Sequence, residues 1–270
     1  MNELGMYWIY DVPGELAGLS FAVAFIVFAI VGVFATRRMQ NFFARQEGWR
    51  EHVVVVLEGA FVFFGLLLAL VAIAAYDNYT DARAKAAVEA SELGSLYRIV
   101  SIYPEPARGQ LQADLREYTS YVIEQDWPLQ RRGEVPSGGV SLVTNFQNHL
   151  ASFGSRTNTE NVQYGVTLLK FNDFVRARQE RLHLVEVRLP TAMWEVLIFG
   201  TLLTIAITWL LPVASLRAHL LLSGVSALVV SLSIFVTAAM DNPFRGDFSV
   251  APHAFEIIQH DLMSVSTAHR

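Results

Sequence analysis

Residues 53–75 read VVVVLEGAFVFFGLLLALVAIAA, and residues 76–103 follow at once as YDNYTDARAKAAVEASELGSLYRIVSIY. The first run is apolar and long enough to cross a bilayer, which takes about 20 residues at 1.5 Å per residue. The second is polar, with apolar positions recurring at helical spacing. No Gly or Pro occurs from Leu66 through Leu93, so nothing local stops a helix that begins in lipid from emerging into water. The stretch predicts a membrane span joined rigidly to a soluble helix, and the rest of the chain is organised around that joint.

The chain of 270 residues is 53% apolar with positive mean hydropathy. The apolar excess is gathered into four blocks, the pattern of a polytopic membrane protein. A net charge of −5 offers no basic surface for nucleic acid. Cysteine is absent, which excludes a disulfide, a thiolate metal site and a cysteine nucleophile. Lysine occurs only at Lys85 and Lys170, a usage that fits a GC-rich bacterial genome.

Outward from the central stretch, residues 16–35 form the first span, preceded by the interfacial aromatics Tyr7, Trp8 and Tyr10 and closed by Arg37 and Arg38. The missing basic leader and cleavage site argue against a signal peptide. Beyond the second span, residues 77–190 are soluble in character. Their apolar positions predict four helices: Leu93, Leu96 and Val100; Leu111, Leu115, Tyr118 and Val122; Leu142, Phe146, Leu150 and Phe153; Val162, Val166 and Leu169. Pro104 and Pro106 end the first, Trp127-Pro128 and residues 133–139 the second, and residues 154–158 the third; the fourth runs from about Thr159 through Arg188.

Residues 191–211 and 220–240 form the third and fourth spans around a turn containing Pro212, with Trp194 and Trp209 as anchors of the third. Ser223, Ser226, Ser231, Ser233 and Thr237 would let the fourth span hydrogen-bond to its neighbours. The expected architecture is all-α. Residues 1–76 form a tail and first transmembrane hairpin, 77–190 a soluble four-helix insertion, 191–240 a second hairpin, and 241–270 a turn with an amphipathic tail.

Orientation follows the arginines. The first loop carries Arg37, Arg38, Arg45 and Arg50, whereas the N-terminal tail has no Lys or Arg. In a bacterial inner membrane this places both termini and the bundle outside, although Arg176, Arg178, Arg181 and Arg188 pull the bundle the other way.

Several motifs together resemble the bacterial and plant bestrophin-like domain family: Tyr76 to Ala82, Glu89-Ala90 with Leu96-Tyr97-Arg98, Trp127-Pro128, Ala177-Arg178 with Arg181-Leu182, Leu189-Pro190 with Trp194, and Asp241 to Gly246 with Val250 and Phe255. Kinship with bestrophins implies a pentameric anion channel whose second span lines a hydrophobic neck and continues into a cytosolic helical domain. That layout sets the bundle in the cytoplasm, against the arginine count. The acidic calcium clasp of bestrophins has no clear counterpart in this sequence.

Two groups of residues are candidates for ion handling. Asp77, Arg188, Glu195, Asp241 and Arg245 fall at the membrane face shared by the second, third and fourth spans. Asp241 opposes the macrodipole at a helix C terminus, so it calls for a partner, Arg245 first and Arg188 second. The cluster reads either as an ion-handling vestibule or as a structural clasp. The second group lies in the second span. Glu58 is an intramembrane carboxylate, a functional hypothesis by default, with snorkelling or pairing to Arg50 or His52 as the structural alternative. Phe61, Phe63 and Phe64, with Leu67 and Leu68, would form an apolar constriction if copies of the span surround an axis.

His253 and His260 lack metal-ligand spacing, and no cofactor motif, catalytic triad or phosphate loop is found. Two functions remain open: a homo-oligomeric channel for inorganic ions, the anion being favoured by resemblance alone, and a membrane-anchored sensor or scaffold. The latter predicts an exposed apolar patch on the bundle.

Overall fold

The computed structural model describes residues 8–43, 48–154, 157–211, 213 and 215–264; Tyr7, Arg45 and Pro212 lie outside the described residues, as do the side chains of Trp8 and Arg50. Every helix or strand element among them is helical. Four helices are long and apolar enough to cross a membrane, so the protein is an all-α polytopic membrane protein. In order the α-helices are α1 (Trp8–Asp11), α2 (Gly14–Phe43), α3 (Trp49–Val100), α4 (Ala107–Tyr121), α5 (Trp127–Arg131), α6 (Gly139–Ser152), α7 (Asn158–His183), α8 (Thr191–Thr208), α9 (Leu216–Asp241) and α10 (His253–Ile258), the four spans being α2, the first part of α3, α8 and α9.

Helix α3 runs unbroken for 52 residues. Its end tightens as the amides of Ser101, Ile102 and Tyr103 donate to carbonyls three residues back, and Pro104 prevents continuation. The chain divides into two compact units, Met1–Asp77 with Arg188–Asp241, and Asn78–Val187 with Asn242–Arg270.

The first unit packs Ala17, Phe64, Leu68, Trp194, Leu197 and Ile234 into one core. Two glycines permit close approach: a Cβ on Gly32 would lie 2.0 Å from the Trp209 ring, and one on Gly200 would lie 2.7 Å from the Phe64 ring. Small residues at helix contacts are how membrane helices gain van der Waals packing where lipid gives no hydrophobic drive. The expected interhelical serine bonds are mostly absent among the described residues. Ser231, Ser233 and Thr237 donate to carbonyls of their own helix, and only Ser223 reaches across, 3.3 Å from the Thr208 hydroxyl. A hydroxyl in a helix reaches the carbonyl three or four residues back without help from a neighbour.

The second unit is built on Leu93, Leu96, Tyr118, Trp127, Phe146 and Phe174, joined by Phe244, Val250 and Phe255 from beyond α9. Two expectations fail here. Trp127-Pro128 does not end the second bundle helix: α4 passes through a π-turn at Val122–Asp126 into α5. Pro128 has no N–H to give and would crowd the carbonyl four residues back, and the wider turn, closed by the Trp127 amide on the Val122 carbonyl, accommodates it. The stripe Val162, Val166 and Leu169 is not the buried face of α7, being 47–68% exposed. The buried face is Thr167, Phe171, Phe174, Ala177, Arg178 and Arg181, and its two arginines hid it from hydropathy. Helix α7 begins with a capping box between Thr157 and Glu160 and ends at His183, so Arg188 lies beyond the helix.

Candidate functional site

The Asp241 carboxylate, the last residue of α9, is fully buried. It accepts the Leu189 amide at 2.7 Å and the Trp194 indole N–H at 3.1 Å. Its hydrogen bonds therefore come from neutral donors at the entry to α8 rather than from the guanidinium anticipated for it. Trp194 is a buried strut rather than an interfacial anchor. Oriented N–H groups hold a carboxylate charge as a charge-assisted hydrogen-bond pair, and this pair ties the end of the fourth span to the start of the third.

The other members of the group are placed differently. Asp77 is exposed on α3, Glu195 is exposed near the start of α8, and Arg188 is half-buried in the segment before Pro190. Arg245 belongs to the second unit, where its guanidinium lies 3.0 Å from the position a Cβ on Gly133 would take.

In α3 the membrane-crossing stretch is barely covered by its own chain: 11% of it is buried, against 28%, 33% and 39% for the other three. Glu58 is exposed on this helix, together with Val55, Val62, Phe63, Leu66 and Ile73. Phe61 is half-buried, and Phe64 departs from the expected constriction, since it is 7% exposed and packed over Gly200. Phe63, 78% exposed, is the aromatic this turn presents outward. Beside it, α3 and α9 leave an apolar groove of about 500 Å³ lined by Phe61, Phe64, Gly65, Val225, Ser226 and Ser233.

A third constellation was not among the candidate sites read from the sequence, although Glu89, Trp127, Arg181 and Phe255 stand in the motifs that carry the family resemblance. Glu89 of α3, Asp126 of the π-turn and Arg181 of α7 are all fully buried. The Arg181 Nε donates to Glu89 at 2.5 Å and its Nη2 reaches Asp126 at 3.4 Å, while the Tyr118 hydroxyl donates to Glu89 at 2.6 Å. The guanidinium lies 5.0 Å from the Trp127 ring centre and 5.8 Å from that of Phe255, positions in which the aromatic faces favour the cation. Trp127 is fixed in turn by its indole N–H on the Val250 carbonyl at 2.8 Å.

Burial raises the Tyr118 hydroxyl pKa well above its usual value, with the Glu89 charge adding to it. Burial also raises Asp126, only partly opposed by Arg181. For Arg181 burial works downward, but Glu89 and the surrounding groups outweigh it, and the guanidinium stays charged. Besides those motifs, the sequence signal was an arginine pair, Arg178 and Arg181, three apart on a helix and in phase with Phe171 and Phe174. Among the described residues no group of three His, Cys, Asp or Glu side chains could hold a metal ion.

With this geometry in hand, comparison with known proteins gives a consistent result. The family model described as Bestrophin-like domain matches residues 21–255. A bacterial bestrophin homologue from Klebsiella pneumoniae, solved by zinc phasing, is similar in structure with a TM-score of 0.70 at 13% identity, covering 93% of this chain and 99% of that one. A single-site variant of the Klebsiella homologue gives a TM-score of 0.72 at 12% identity, with coverage of 92% and 98%. No curated protein sequence matches the chain.

Proposed function

Because the chain belongs to the bestrophin-like domain family, we propose that it is an ion channel formed by several copies, with α3 of each facing the conducting axis. The observation that carries this reading is the outward face of α3, which is largely uncovered within one chain yet bears Glu58. A charged side chain directed into lipid costs about 3 kcal/mol at the centre of a span, and less towards its end, where Glu58 lies. Assembly around an axis replaces lipid at that face with water and protein. Phe63 and the neighbouring valines and leucines then form an apolar neck of the kind that gates by dewetting.

The test is reconstitution of the purified protein into liposomes, with anion and cation flux followed beside the oligomer mass. Selective flux that changes in Glu58→Gln and Phe63→Ala supports the axis; a stable monomer without flux overturns it. The same assay assigns the ion. Family resemblance supports an anion, whereas a ring of Glu58 carboxylates supports a cation.

One observation favours the second reading, a scaffold. Ile102 of the turn after α3, with Val162, Val166 and Leu169 of α7, forms an exposed apolar strip on the bundle, and such patches mark interaction surfaces. We place the chain in a bacterial inner membrane. The loop arginines support an outward bundle and the family layout an inward one; a reporter fused after Arg270 that is active only in the cytoplasm assigns the inward arrangement.

A further inference from the structure

The buried ion cluster of the bundle plays no part in the conduction argument, and its two carboxylates are held very unequally. Glu89 receives both Arg181 and the Tyr118 hydroxyl. Asp126 touches Arg181 through Oδ2 alone, at 3.4 Å, while its Oδ1 is buried with no donor in hydrogen-bond geometry, the Tyr121 hydroxyl standing close to the carboxylate. Unpaired with it are Nη1 of Arg181, Nε and Nη2 of Arg178, and both amide atoms of Gln130. Gln130 is fully buried and sits four residues after Asp126, so the two share one helix face. The weak arm of the cluster is also the last residue of the π-turn Val122–Asp126, a wide turn of a type frequent at functional sites.

We propose that Asp126 and the π-turn form a proton-operated latch inside the bundle. With its carboxylate charged, Asp126 is held to Arg181. On taking up a proton it releases Arg181 and donates that proton to the Gln130 amide oxygen, the unpaired acceptor one turn on. The wide turn resettles, and Trp127, the next residue, shifts against the Arg181 guanidinium it stacks on. The groups facing Asp126 are Arg178 and Arg181 from α7, Glu89 from α3, and Tyr121 from α4, with Tyr118 acting through Glu89. Glu89 is not the switch, since it already has three hydrogen-bond contacts from two residues. Half-buried Tyr121, beside Asp126, is the path by which the proton arrives. The pKa of Asp126 is raised, with burial the first cause.

The test uses the full chain in detergent or nanodiscs with 5-fluorotryptophan at its five tryptophans, the Trp127 resonance being assigned by its loss in Trp127→Phe. On titration from about pH 8 to about pH 4, which brackets the ordinary carboxylate range and the region above it, the Trp127 fluorine signal moves along a single-proton curve. The curve is flat in Asp126→Asn, and its midpoint falls in Gln130→Leu, which removes the acceptor. A Trp127 signal that does not move in the natural chain overturns the latch, whether or not any variant folds. So does a curve that persists unchanged in Asp126→Asn. The readout is confined to the bundle, so its failure is distinct from an absence of flux.

Discussion

The membrane unit and the bundle unit each bury carboxylates completely, and they do it in opposite ways. In the membrane unit Asp241 is met by two neutral N–H donors, Leu189 and Trp194. In the bundle Glu89 and Asp126 are met by a full counter-charge, Arg181, itself set against two aromatic rings. Oriented dipoles suffice for one carboxylate at a helix end. Two carboxylates in one apolar core repel each other and require a cation between them. The bundle therefore depends on one residue, whereas the membrane clasp divides its charge between two donors.

That contrast sets an order of mutational effects. Arg181→Met leaves two buried carboxylates uncompensated and should cost about 3–5 kcal/mol. It is expected to abolish the cooperative thermal transition of the bundle, and a variant as stable as the natural chain would dissolve the distinction between the units. Asp241→Asn keeps one acceptor but turns an amide N–H towards the other donor. A loss of about 1–3 kcal/mol is expected, read as a lower melting temperature with the oligomer intact; a loss as large as that of Arg181→Met would mean that dipoles and counter-charge are equally irreplaceable.

Gly200→Ala drives a methyl to 2.7 Å from the Phe64 ring. Overpacking of this sort costs about 1–3 kcal/mol. It should lower the melting temperature of the membrane unit while leaving hydrogen exchange in α7 unchanged.

The pH dependence is smaller and unusual in sign. Asp126 has its pKa raised in the folded state, with burial the main cause, so the folded chain binds this proton more tightly than the unfolded chain. Its contribution is most favourable below the unfolded value of about 3.9 and is lost as pH rises through the folded pKa. Between those two values the Asp126 contribution to bundle stability should therefore grow with acidification, measurable as the difference in melting temperature between the natural chain and Asp126→Asn across pH. A difference that is constant with pH would show that the charged form is fully compensated. At the bottom of the scale, Lys85→Ala removes an exposed pair with Glu180 and should leave the melting temperature unchanged, because solvent-exposed ion pairs contribute little.

The membrane architecture was legible because its signals are local. Four apolar blocks and an absence of helix breakers after Leu66 are properties of consecutive residues, and they gave the spans and the run of α3 into the bundle. Pro128 shows where locality misleads: its missing donor reads as a helix end, yet a π-turn absorbs it. The α7 face shows the same limit in reverse, since Val162, Val166 and Leu169 have the spacing of a core stripe and are exposed.

By itself, then, the sequence determined a four-span, all-helical chain with a helical insertion and a second span that continues into it. Hydropathy over about 20 residues and helix propensity decide those features without reference to distant parts. Only the tertiary structure decided which charges are buried and by what. Arg181 meets Glu89 and Asp126 from 92 and 55 residues away, and Asp241 meets Leu189 and Trp194 from 52 and 47. An arginine or carboxylate read alone belongs in water; it enters a core only when a partner arrives to offset its desolvation, and that partner is supplied by the fold.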